Sequence, residues 1–206
     1  MLPYGAVTTV FLLSPARCGG PRAEQLIASK TAALGVELRG DGAPIGDVFA
    51  WLSALYFRGK LAYARAFGAE HAYVMAAGAG LAPLDMRITA RQLRAMGRVD
   101  IESAAFAGPL RRDATALRER HGEAARVVLL GSIATGKYID TLLAVFGTQL
   151  LFPGDFVGRG DMSRGGLMLR AVRDGAELAY TPVLGATLHG SRPPKLPPLA
   201  RKPAAS

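Results

Sequence analysis

Apolar residues in this chain come in short unbroken runs, separated by longer stretches in which they recur at helical spacing. Val7 to Leu13 is almost free of polar residues, the pattern of a strand buried on both faces. Glu70 to Ala77 reads as a second strand, Val127 to Leu130 as a third and Gln149 to Phe152 as a fourth. Leu178 to Leu184 fits an edge strand, because Pro182 has no N–H to give to a ladder. Between the strands, helices are predicted over Arg22 to Leu34, stopped at Gly35, and over Val48 to Phe67, capped by Asp47. In the second of these, Val48, Leu52, Leu55, Tyr63 and Phe67 form the apolar stripe, and Arg58, Lys60 and Arg65 lie on more polar faces. Thr89 to Met96, Ala107 to Arg120, Lys137 onward to Phe146 and Leu167 to Arg173 complete the helices. Strands alternating with helices favour parallel order. The expected fold is an α/β three-layer sandwich with a mostly parallel central sheet. It forms one domain over residues 1–190, followed by a Pro-rich basic tail over 191–206 that is expected to be disordered.

In such sheets ligands sit beyond the carboxyl ends of the strands, and here each strand runs into a loop with chemistry. After the first come Ser14 and Arg17, a hydroxyl and a guanidinium suited to phosphate. After the second come Gly78 and Gly80, which allow close backbone approach, and then Asp85. The third strand opens ARVVLLGSIATGKYIDTLLAVF, with Gly131, Ser132, Thr135, Gly136 and Lys137 in the loop and a helix N-terminus facing it. Gly131 to Lys137 fits GxxxxGK, but Tyr138 stands where a P-loop needs Ser or Thr for magnesium, which disfavours phosphotransfer of that type. The fourth strand leads into five glycines between Gly154 and Gly166, interleaved with Asp155, Arg159, Asp161 and Arg164. Glycine and charge at that density disfavour regular structure, so a binding loop is expected, with Gly158 and Gly160 as its backbone.

One cleft around Ser14, Gly78, Ser132 and Tyr138 is expected, because all four residues follow strands of one parallel sheet. Ser14, Arg17, Ser132, Thr135, Lys137, Arg159 and Arg164 would meet phosphate, and Tyr138 would stack on a base or cap the pocket. An enzyme acting on a nucleobase glycosidic bond would draw its acid–base group from Asp85, Asp155 or Asp161.

Composition sharpens this picture in a few places. With 206 residues, half of them hydrophobic, the chain can bury a full core. Its net charge of +9 fits an anionic partner, nucleic acid or nucleotide, or plain solubility. No apolar run is long enough to span a membrane. Cys18 is the only cysteine, so no internal disulfide forms, as expected of a cytoplasmic protein. His71, His121 and His189 show no metal-ligand spacing, and no cofactor is expected.

Three pieces together resemble the peroxide-stress YaaA family and related domains of unknown function. They are Leu13-Ser14-Pro15-Ala16-Arg17 at the end of the first strand, Gly78 to Asp85 reading GAGLAPLD, and the strand, loop and tyrosine of Leu130 to Tyr138. Arg17 stands where the family has lysine, and the Gly158 to Gly166 run has no counterpart in it. The resemblance implies an α/β fold and DNA binding linked to protection from oxidative damage.

Overall fold

The computed structural model describes residues 7–68, 70–134, 136–187 and 190–197. In chain order the elements are β1 (Thr9–Leu13), α1 (Pro21–Ala28), α2 (Ala33–Arg39), β2 (Ala43–Pro44), α3 (Ile45–Phe67), β3 (Ala72–Ala76), β4 (Gly80–Pro83), β5 (Arg87–Ile88), α4 (Ala90–Met96), α5 (Ala104–His121), β6 (Arg126–Leu130), α6 (Lys137–Phe146), β7 (Leu150–Pro153), α7 (Asp161–Asp174) and β8 (Tyr180–Pro182). Six strands form one sheet in the order β4-β3-β1-β6-β7-β8. The inner four are parallel, and β4 and β8 are antiparallel edges. Val10 to Leu13 and Val128 to Leu130 have no exposed surface, as expected of strands covered on both faces. Helix α3 packs on α7 and α5 on α6, one pair on each side of the sheet. The expected three-layer α/β sandwich is therefore what the chain forms.

The chain leaves β1 toward β3 on one side and returns to β6 on the other. The carboxyl ends of β1 and β6 thus lie side by side where the winding direction reverses, with Leu13 opposite Leu130 in register. Crevices form at such reversals because the two connections diverge.

Three expected elements differ. Arg22 to Leu34 is not one helix: it breaks after Ala28, and Gly35 lies inside the next helix. A Cβ on Gly35 would stand 2.4 Å from the Leu26 carbonyl oxygen, so glycine there allows α2 to fold against α1. The glycines after β3 make a tight hairpin rather than a crossover, because β4 runs back antiparallel along β3. Finally, α7 begins at Asp161, so half of the expected glycine loop is helix. Gly165 sits where α7 crosses α3: a Cβ there would be 2.6 Å from the Leu55 carbonyl oxygen, and one on Gly59 would be 2.7 Å from that of Gly165. These glycines serve close helix approach.

Ala54 interrupts α3 with φ 49° and ψ −131°. A side chain is strained in that region of backbone space. Ala54→Gly should raise stability by about 1 kcal/mol, the size of such relief, read from the urea midpoint. An unchanged or lower midpoint would place no strain at this kink.

Candidate functional site

The switch point carries a buried polar cluster built from four elements. Ser14 directly follows β1, and its N–H donates to the Leu130 carbonyl at 3.2 Å, tying the two strand ends together. Gly131 follows β6 and leaves room: a Cβ there would lie 2.8 Å from the Ser14 Cβ and 3.0 Å from the Tyr138 hydroxyl. Its lack of a side chain is what lets Ser14 and Tyr138 approach each other. From α3, Lys60 donates from Nζ to the Ser14 hydroxyl at 2.6 Å and to the Ser14 carbonyl at 3.3 Å. The ammonium nitrogen stands 4.0 Å from the centre of the Tyr56 ring. Ser14 is 6% exposed and Lys60 2%.

Burial dominates the electrostatics here. It holds Lys60 far below the ordinary lysine range, at about 7, with Asp161 opposing the shift and Arg164 reinforcing it. Burial also pushes the Tyr56 and Tyr138 phenols up. The Tyr138 hydroxyl donates to the Ser132 carbonyl at 2.9 Å. Among the described residues, the buried Tyr56 hydroxyl has no hydrogen-bond partner in good geometry, although Arg164 lies beside it. Arg164 is mostly buried; its Nε donates to the Phe156 carbonyl at 3.2 Å and a terminal nitrogen is 3.5 Å from the Asp161 carboxylate.

Lys60 is the residue that the sequence pattern misplaced. Its charge put it on a polar face, whereas the structure buries it. The spacing carries a signal: Lys60 lies four residues after Tyr56 and three before Tyr63, both buried, so all three share one face of α3.

Beside this cluster opens a cleft of about 550 Å³. Its walls include Pro15, Arg17 and Cys18 from the loop after β1, Ala77 from the end of β3, Asp100 from the segment before α5, and Lys137 at the start of α6. Arg17 and Lys137 are exposed, and among the described residues neither has an ion-pair partner. Cys18 is buried, and burial pushes its thiol up to about 12, which leaves it protonated and unreactive at neutral pH.

The other expected residues divide. Ser132 flanks the cluster, half-buried, with its hydroxyl accepting from Ala134 N at 3.3 Å. Gly136 precedes α6, and Thr135 lies outside the described residues. Tyr138 was expected to stack on a base; at 6% exposure its ring is core instead. Gly78 and Gly80 serve the hairpin with φ values of 76° and 92°, and a Cβ on Gly80 would strike the Asp113 carboxylate that caps Leu81 N. Asp85 follows β4 and so lies at the amino-terminal edge of the sheet, away from the cluster, because the hairpin reversed the chain. Asp155 is exposed, and its backbone carbonyl accepts from Arg159 Nε at 3.0 Å. Arg159 turns away to a second groove, donating to the Ser163 hydroxyl and the Pro194 carbonyl. Residues 190–197 lie along α7 there without regular structure, beside Gly158, with Gly160 at the helix start.

His71 and His121, far apart in sequence, bring their rings to 4.9 Å. No group of three metal-binding side chains occurs among the described residues, and no helix among them is long and apolar enough to cross a membrane. Compared with known proteins, the chain matches no family model, no curated protein and no solved structure.

Proposed function

We propose that this protein binds a nucleotide, free or at the end of a nucleic-acid strand, with its phosphate in the cleft at the carboxyl ends of β3, β1 and β6. One observation carries the reading: Arg17 and Lys137, cations from two different loops, line the same cleft at the winding reversal. Both lie free of carboxylate partners among the described residues, so an anion need not displace an existing ion pair. The first turn of α6 adds unpaired N–H groups on the Lys137 side. A cleft of about 550 Å³ is the size of a small-molecule site. Apolar walls from Ala77, Met96, Val99 and Phe106 give a base or sugar somewhere to lie. The DNA binding implied by the YaaA resemblance fits this edge, since Ser14, Arg17 and Tyr138 belong to the matching pieces.

The Arg17→Ala, Lys137→Ala double variant tests it. Both side chains are exposed, so the fold should survive. Nucleotide affinity, read by calorimetry, should fall roughly a hundredfold, taking each charge-assisted bond near 1.5 kcal/mol. With a short single-stranded oligonucleotide the salt slope should fall by about 0.7 per lost phosphate contact. A folded double variant with unchanged affinity and slope would remove this cleft from binding.

A further inference from the structure

We propose that Ser14 and Lys60 form a nucleophile–base pair that transfers a phosphoryl group from the nucleotide in the neighbouring cleft. The substrate class rests on the binding reading above; the pair itself rests on its own geometry. Ser14 Oγ and Lys60 Nζ are 2.6 Å apart, within the range needed for direct proton transfer. The serine directly follows β1 at the winding reversal, and the next residue, Pro15, lines the cleft. Gly131 and the Tyr138 hydroxyl lie against the serine side chain.

The surroundings of Lys60 favour a base over a strut. A structural tie between α3 and β1 needs no ionisable group, and burying one is costly unless a counter-charge is buried with it. Here the groups facing Lys60 are Ser14 just after β1, Tyr56 and Phe57 on its own helix, and Arg164 and Asp161 on α7. The one carboxylate among them, Asp161, is exposed, whereas Arg164 is mostly buried. The amine is thereby held close to neutrality, as a base requires, and the Tyr56 ring face beneath it can stabilise the ammonium once it forms.

In the first step Ser14 Oγ forms a bond to phosphorus while the phosphorus–oxygen bond to the leaving group breaks. The electron pair leaves on that oxygen, which takes a proton from solvent, and the serine proton passes to Lys60 Nζ. In the second step water bonds to phosphorus and the bond to Oγ breaks. Oγ recovers its proton from Lys60, and the water proton leaves with the phosphate or to solvent.

A fluorophosphonate probe, followed by peptide mass spectrometry between pH 6 and 9, tests the pair. Ser14 should be labelled in the wild-type protein, at a rate that rises about tenfold from pH 6 to pH 8 and then levels as the amine becomes neutral. Excess nucleotide should slow labelling. Lys60→Met should cut the rate at least a hundredfold, and the wild-type pH profile gives the same information if that variant does not fold. Folded wild-type protein left unlabelled at Ser14 at pH 8.5, or a folded Lys60→Met labelled at the wild-type rate, would overturn the proposal. Labelling that no nucleotide slows would overturn the binding reading and leave the pair standing. Untreated wild-type protein that releases no phosphate from nucleoside mono-, di- and triphosphates or from p-nitrophenyl phosphate, although the probe labels its Ser14, would overturn phosphoryl transfer.

Discussion

Gly165→Ala should destabilise the protein by about 2 kcal/mol, the usual cost of overpacking, while Gly166→Ala, one residue on in the same helix, should stabilise it. Helix propensity alone favours alanine at both positions by about 1 kcal/mol. What separates them is the α3 crossing. A Cβ at Gly165 would stand 2.6 Å from the Leu55 carbonyl oxygen and 2.9 Å from Tyr56 Cα, backbone atoms that cannot turn aside. At Gly166 the nearest atom is a Leu196 methyl at 3.5 Å, an ordinary contact. Gly165→Leu should unfold the crossing, and with it the Arg164 and Lys60 positions behind the cleft. Melting temperatures report the contrast at about 2–4 °C per kcal/mol for a chain of this size. Equal shifts in the two alanine variants would show that the helices are not in such close contact.

Stability should rise with pH between about 7 and 9, more steeply than the easing of surface repulsion in a protein of net charge +9 would give alone. The native Lys60 has its pKa depressed to about 7, while the unfolded chain keeps lysine near about 10.4. In that window the unfolded state holds the extra proton, so raising pH favours folding, by up to about 1.4 kcal/mol per pH unit. From about pH 9 the rise levels off, and above about pH 10.4, where the unfolded lysine also loses its proton, the sign reverses. Cys18, raised to about 12, keeps its proton in the native state after the unfolded thiol has lost it. Lys60→Met should flatten the rise below pH 9 and leave the fall at higher pH. Urea unfolding at a series of pH values measures both, and a wild-type profile without the rise would mean that Lys60 is solvated.

The sheet was legible because its strands are buried on both faces, and such strands are unbroken apolar runs. The edge strands divided: Pro182 marked β8 as an edge, whereas β4 was missed. Gly80–Pro83 reads as a glycine turn and holds only Leu81 and Ala82 as apolar markers, so the hairpin that carries Asp85 to the far edge left no periodic trace. Gly154 to Gly166 misled for a related reason. Glycine marks both a mobile loop and a close helix crossing, and composition does not tell which of the two an individual glycine serves. Of the site, the loop residues Ser14, Arg17, Gly131 and Lys137 were readable from their place after strands. Lys60 was not, since a lysine on a helix is nearly always solvated. Only the aromatic neighbours at helical spacing, Tyr56 and Tyr63, marked its face as buried.

Two cationic grooves could receive a nucleotide phosphate, and a bound nucleotide distinguishes them. One holds Arg17 and Lys137 at the winding reversal, and the other holds Arg159, Arg170, Arg192 and Lys195 along α7. A crystal soaked with a nucleoside monophosphate should show the phosphate within hydrogen-bond distance of Arg17 and Lys137, with the Ser14 hydroxyl facing it. A nucleotide seated instead against Arg170 and Arg192, with the first cleft empty, would contradict the account.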